Sequence, residues 1–311
     1  MIRVPGKAYM ITAQPEDSAN VRNIVAPPGS GGPTVLRILL GAQLRRLREA
    51  QGLAVDDAGQ VIGASHSKMS RLETGRVGFK DQDIAALLTL YGVTDEQQQG
   101  ALRALARNAN AQGWWHDYSD ILPAWFEAYL GLEEAATSIR AYEIQFVPGL
   151  LQTNEYARAV TLLGHPAAPA DEIERRVRLR MTRQAMFTRP QSPHLWVALD
   201  EAVLRRPVGR PGVMRRQLTH LLEAAEWPNV TIQIIPFQAG GHAAAGGPFS
   251  ILRFAEPDLP DVVYLEQLTS ALYLDKRETV DHYMAVMERL CLAAAPATAS
   301  ARTINAVLQE R

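Results

Sequence analysis

Between residues 34 and 110 the apolar positions recur three and four apart, the spacing of short amphipathic helices. Leu36, Leu40, Leu44 and Leu47 mark the first, which Thr34 is suited to cap and Gly52 to stop. A second helix is predicted over 55–62 and closed by Gly63; Ser65 then caps a third that reaches Thr74 and ends at Gly75. Ile84, Leu87 and Leu88 point inward from a fourth over 81–91, and Leu102 and Leu105 from a fifth over 95–109. Past Trp114 and Trp115 the pattern changes. Helical stretches at about 124–137, 153–163, 171–187, 211–226 and 276–293 now accompany strand-like runs at 194–199, 230–237, 249–254 and 262–268, rich in β-branched and aromatic residues. The last three runs follow one another without an intervening helix, which favours antiparallel neighbours. The expected fold is an all-α N-terminal domain of five helices followed by an α+β C-terminal domain with a mainly antiparallel sheet. Residues 1–33 show neither periodicity and carry Pro5, Pro15, Pro27, Pro28 and a Gly-rich run, so they read as a flexible leader. The chain thus divides into 1–33, 34–110 and 111–311.

Composition adds exclusions. The 311 residues are 47% hydrophobic, contain one cysteine, Cys291, and hold no run of 18 apolar residues, so disordered, disulfide-rich and membrane-spanning classes are set aside and a cytoplasmic location is expected. Net charge is -1, but residues 1–110 sum to +3 and residues 111–311 to -4. A basic first domain beside an acidic second suits contact with nucleic acid through one end only. Four lysines stand against 28 arginines, which codon usage in a GC-rich genome explains.

The stretch 55–75, VDDAGQVIGASHSKMSRLETG, carries the most chemistry. Two short helices joined by a Gly-containing turn, the second opened by a Ser cap, form a helix-turn-helix. Ile62, Met69 and Leu72 have the spacing to pack the two helices together, leaving His66, Ser67, Ser70 and Arg71 outward as candidates for base edges and Lys68 for phosphate. Gly59 inside the second helix costs about 1 kcal/mol relative to Ala. The run Ser65-His66-Ser67-Lys68-Met69-Ser70-Arg71-Leu72-Glu73-Thr74-Gly75-Arg76 resembles the recognition helix and following turn of phage-repressor-like regulators of the Cro/C1, xenobiotic-response-element type, over about residues 36–92. That resemblance implies DNA contacts at Ser65, His66, Ser67, Lys68, Ser70, Arg71 and Arg76. Val55 departs from it, standing where such regulators carry a phosphate-contacting polar side chain.

A second resemblance covers about residues 113–295. Trp114-Trp115, Leu130-Gly131-Leu132-Glu133-Glu134-Ala135, Val147-Pro148-Gly149-Leu150-Leu151-Gln152-Thr153 with Glu155-Tyr156-Ala157-Arg158-Ala159, and Gly247-Pro248-Phe249 resemble the antitoxin-like domain of actinobacterial WhiJ-like regulators. It implies a repressor whose C-terminal domain receives a signal, with Trp115, Tyr142, Gln152, Tyr156 and Arg158 as candidate partner or ligand contacts and a small companion protein as one partner. Taken residue by residue, Pro148-Gly149 forms a turn, Thr153 caps the next helix, and Glu155 and Arg158 share one face of it.

Other groups are read as structural. His116, Asp117 and Asp120 open a helix, where acidic residues favour the dipole. The histidines show no zinc spacing, the Gly-rich run at 240–247 lacks the Lys-Ser or Lys-Thr of a phosphate loop, and Asp261 with Glu266 lacks the lysine of a nuclease site. Arg175, Arg176, Arg178, Arg180 and Arg183 read as a solvated, salt-bridged face. Neither metal, cofactor nor enzymatic activity is expected. One such module contacts few base pairs, so a homodimer on a pseudo-palindromic operator, with half-sites about 34–36 Å apart, is the expected binding form.

Overall fold

The computed structural model describes residues 32–256 and 259–311. The leader expected over 1–33 lies, apart from Gly32 and Pro33, outside the described residues.

The five N-terminal helices form where the periodicity places them: α1 Pro33–Ala50, α2 Val55–Val61, α3 His66–Glu73, α4 Asp81–Leu90 and α5 Glu96–Ala109. Ser65 caps α3, its hydroxyl accepting from the Lys68 amide at 3.3 Å, and Asp95 caps α5. The start of α1 differs from expectation. Pro33 takes the first helical position, where its missing N–H costs nothing, Gly32 precedes it, and Thr34 lies buried inside the helix. Leu40, Leu44, Ala58, Met69, Leu72, Ile84, Leu87 and Leu88 close one core.

The C-terminal body is built on a six-stranded mixed sheet in the order β3-β2-β1-β4-β5-β6. The strands are β1 Ser138–Glu143, β2 His194–Asp200, β3 Val230–Ile235, β4 Phe249–Arg253, β5 Val262–Glu266 and β6 Ala271–Leu274. Antiparallel pairings predominate, β1 with β4, β4 with β5 and β5 with β6, but β1, β2 and β3 run parallel. The expectation that the runs at 230–237 and 249–254 neighbour each other is therefore corrected: β3 and β4 are separated by β2 and β1. The parallel half follows from crossovers, since α7 Asn154–Gly164 and α8 Ala170–Gln184 link β1 to β2, and α9 Glu201–Arg205 and α10 Val213–Ala225 link β2 to β3.

Alternation along the strands divides their side chains between two cores. Ile139, Leu195, Val197, Leu199, Ile232, Ile234, Leu252 and Tyr264 face a large core shared with α10, α6 Ala124–Ala135 and α12 Ala297–Gln309. Tyr142, Ala198, Phe249, Ile251 and Val263 face a smaller one covered by α11 Arg277–Ala293. At β3 the outer edge is closed by the start of α12, the Ile234 amide donating to Ser300 Oγ (2.9 Å) and the Ala295 amide to Ile234 O (2.8 Å). The large core also takes in Val35 and Leu39 of α1, packed with Tyr129 and Leu132 of α6.

Candidate nucleic-acid interface

Helices α2 and α3 meet through a turn whose tightness depends on Gly59. A Cβ at that position would stand 2.7 Å from the carbonyl oxygen of Ala64, whose own amide donates to Gly59 O at 2.8 Å. The glycine that propensity alone marks as a weakness is the residue that lets the turn close. Met69 and Leu72 are fully buried beneath α3, and Ile62 packs partly against the same core, as their spacing predicts.

An ion pair between residues 25 apart fixes the helix from below. Arg48 of α1 donates from Nε and Nη2 to the two carboxylate oxygens of Glu73 at 2.6 and 3.0 Å, and from Nη1 to Leu53 O at 2.6 Å. Both side chains are buried, and the pairing with Glu73 raises the Arg48 pKa. Tyr91 lies against this pair; burial and the Glu73 charge raise its hydroxyl pKa, and that hydroxyl finds no hydrogen-bond partner. Sequence reading missed this pair because nothing local marks it.

The outward face of α3 is open. His66, Ser67, Ser70 and Arg71 are exposed, as are Ser65 at its cap and Arg76 beyond its end, while Lys68 is half-buried and 3.8 Å from Asp83. Arg71 donates from Nε only to the Ser67 carbonyl (3.3 Å), which leaves its guanidinium edge available. His66 is held laterally, its Nδ1 donating to Asp56 at 2.9 Å. Asp56 and Asp57 sit in the first turn of α2, where Asp57 accepts from the Ala54 amide at 2.9 Å. A helix N-terminus otherwise attracts phosphate; here two carboxylates occupy it.

The five partner or ligand candidates fall elsewhere, and four of them are packing residues. Trp115 is buried with Leu130 and Leu179; Tyr142 is buried on the sheet and hydrogen-bonds with His242 Nε2 at 2.9 Å. Tyr156 is fully buried, its hydroxyl accepting from the Val147 amide, and Gln152 donates to Val147 O at 2.7 Å. Gln217 accepts from the Thr153 amide and donates to Leu151 O, and Gln184 reaches Gly149 O and Gln152 O. The segment 147–153 is thus a turn pinned by three glutamines, and Thr153 caps α7 as expected. Arg158 reaches the surface, but it pairs with Glu174 of α8, and Glu155 pairs with Arg216 of α10 at 3.2 Å, so the two do not meet each other.

The arginine run on α8 is salt-bridged as expected, but only part of it is solvated: Arg178 is exposed and Arg176 pairs with Glu172 along the helix, while Arg183 turns inward. Arg175 forks onto Asp120 (2.5 and 2.7 Å), which explains the acidic residue there. Arg183 forks onto the buried Glu133 of α6 (2.8 and 2.7 Å) beneath the Phe126 and Tyr129 rings. Asp261 is taken by Arg253 at 2.8 Å and Glu266 by the Tyr264 hydroxyl at 2.9 Å. Among the described residues no three His, Cys, Asp or Glu side chains converge on a metal-sized site. No helix among them is long and apolar enough to cross a membrane.

Two families of known sequences match this architecture. Residues 39–99 match one described as a helix-turn-helix domain, and residues 126–306 match one described as a domain of unknown function, DUF5753. No curated protein and no solved structure matches the chain.

Proposed function

From the premise that the chain belongs to the DUF5753 family and carries a helix-turn-helix domain ahead of it, we propose that it is a sequence-specific DNA-binding transcriptional regulator acting as a homodimeric repressor. Residues 34–110 bind the operator, and residues 111–311 dimerise and receive the signal. The observation that carries this reading is the two-sidedness of α3: Met69, Leu72 and Glu73 are locked inward, and an uninterrupted polar face of His66, Ser67, Ser70 and Arg71 stands outward. Arg71 is the base reader, because a guanidinium fork matches guanine O6 and N7. Arg71→Ala lowers specific operator affinity by about 1–3 kcal/mol while leaving the circular dichroism spectrum unchanged. Footprinting on the protein's own upstream region tests binding, half-site spacing and autoregulation together; a protected pseudo-palindrome supports the reading, and unchanged affinity in the Arg71 variant removes the assignment.

A second reading, an antitoxin-like protein that holds a small partner and autoregulates, is favoured by one observation. Leu162 and Leu163 stand side by side on α7 with 46% and 64% of their surface exposed. A stoichiometric small protein retained at high salt would select it.

A further inference from the structure

The outward face of α3 differs in hydrogen-bond polarity from one end to the other. His66 is the first residue of α3, and its hydrogen bond among the described residues joins Nδ1 to Asp56 Oδ1 at 2.9 Å. Asp56 stands in the first turn of α2, and the two side chains are 65% and 67% exposed, so the pair lies open to a ligand. Asp57 is spent on the Ala54 amide and Lys68 lies 3.8 Å from Asp83, which leaves Asp56 as the charged group that meets the imidazole among the described residues.

An ionised carboxylate only accepts. The ring proton at this contact therefore sits on Nδ1, and in the neutral ring Nε2 keeps a lone pair and carries no proton. Nε2 has no partner among the described residues, and the ring stands on the face that carries Ser67, Ser70 and Arg71. A carboxylate held by the neighbouring helix thus turns a side chain able to present either a donor or an acceptor into an acceptor. Arg71, at the other end of the face, presents donors only.

In the major groove every base pair shows one base with an exocyclic amino group, adenine or cytosine, and one with a keto oxygen, guanine or thymine. Arg71 matches the keto base guanine, whereas a lone pair at His66 matches an amino base. From residue 66 to residue 71 a helix advances about 7.5 Å, close to two base-pair steps of about 3.4 Å. We propose that Asp56 is a positioning residue that sets the tautomer of His66, and that His66 Nε2 accepts from the exocyclic amino group of an adenine or cytosine about two base pairs from the guanine read by Arg71. The inference rests on the operator-binding reading of α3 and adds to it the chemistry of one operator position. Guanine is refused there, because its N7 and O6 would set lone pairs against the lone pair of Nε2.

The test uses the full chain as wild type, Asp56→Asn and His66→Ala. An asparagine keeps the shape of the side chain but donates as well as accepts, so it no longer dictates which ring nitrogen holds the proton. Long-range proton–nitrogen correlation spectra at pH 8, with the His66 signals assigned by their loss in His66→Ala, show Nδ1 protonated and Nε2 bare in the wild type. In Asp56→Asn the proton is shared between the two nitrogens. Selection from randomised duplexes at the same pH gives a wild-type half-site in which an amino base is favoured about fivefold over a keto base at the position whose preference disappears in His66→Ala. Asp56→Asn loses that preference, although its overall affinity rises, and the guanine contacted by Arg71 stays selected. A protonated Nε2 in the wild type, a keto base at the His66 position, or an unchanged tautomer or preference in Asp56→Asn overturns the proposal and leaves the DNA reading in place. Enrichment of no sequence at all removes the DNA reading, and the proposal falls with it whatever the spectra show.

Discussion

Removing the carboxylate of Glu73 is the sharpest perturbation of the DNA-facing unit. The Arg48 and Glu73 side chains are 8% and 5% exposed and share two hydrogen bonds, so Glu73→Ala strands a guanidinium in a dry environment. Deleting one partner of a buried pair costs about 3–5 kcal/mol. The surviving bond from Arg48 Nη1 to Leu53 O holds one of the freed donors and places this case toward about 3 kcal/mol. With a urea slope of about 1–3 kcal/mol/M, the midpoint falls by about 1–3 M. Far-UV circular dichroism reports the loss, since five helices make up most of residues 32–110. The double variant Arg48→Met with Glu73→Leu fills the same space without charge and recovers to within about 1 kcal/mol of wild type. A shift below about 0.3 M for Glu73→Ala would mean that the pair behaves as an exposed bridge, and the argument that it anchors α3 would fail.

Three further outcomes follow from described contacts. Gly59→Ala gains about 1 kcal/mol of helix propensity yet lowers stability and operator binding together, because its methyl meets the Ala64 carbonyl; a stabilised variant in a thermal melt would contradict this. Asp56→Asn removes a carboxylate from the first turn of α2 and is expected to tighten DNA binding about fivefold at low salt, from about 1 kcal/mol between unit charges 4 Å apart in water, the gap closing as salt rises; fluorescence anisotropy across a salt series reads it. Burial and the Glu266 charge push the Glu143 pKa up from 4.5 to about 8. The folded carboxyl therefore keeps a proton that the unfolded one has lost, and its stabilising contribution, full below pH 4.5, declines as pH rises toward 8 by at most about 1.4 kcal/mol per unit. Glu143→Gln flattens that slope, and parallel urea titrations at pH 5 and pH 8 distinguish the two.

The helical domain was legible because each of its signals is local: three- and four-residue spacing, the Ser65 cap and glycine stops all lie within one helix of the element they define. β1 escaped notice since its Ser138-Ile139-Arg140-Ala141-Tyr142-Glu143 sequence looks polar, and only the stacking of Arg140 over Trp196 at 5.3 Å explains how Arg140 is accommodated. β6 is four residues long, and α12 is rich in alanine, with neither run long or apolar enough to stand out. The order of strands is fixed by crossovers rather than by succession, which is why β3 and β4 were expected as neighbours. For the site, the outward residues of α3 followed from helix geometry. The pairings of Arg48 with Glu73 and Arg183 with Glu133 span 25 and 50 residues, and only the folded chain brings them together. Aromatic and amide residues picked out at 115, 142, 152 and 156 mark packing because large side chains that recur beside turns serve cores as readily as ligands.

Helix α1 belongs to two cores at once. Leu40 and Leu44 close the helix-turn-helix core, with Gly41 letting the backbone of Leu72 and Glu73 approach; Val35 and Leu39 enter the core of the C-terminal body, with Gly131 admitting Thr34. The two bodies therefore lack an independent melting boundary at residue 110. Amide protons of the buried turns of α1 are expected to exchange with the more stable body, and lengthening the connection near 111–113 would leave the bodies joined. A tilt of α6, in contrast, is carried through one rigid helix to the base of α3, so the orientation of the DNA-facing surface is set by packing against the sheet domain rather than by the length of a tether.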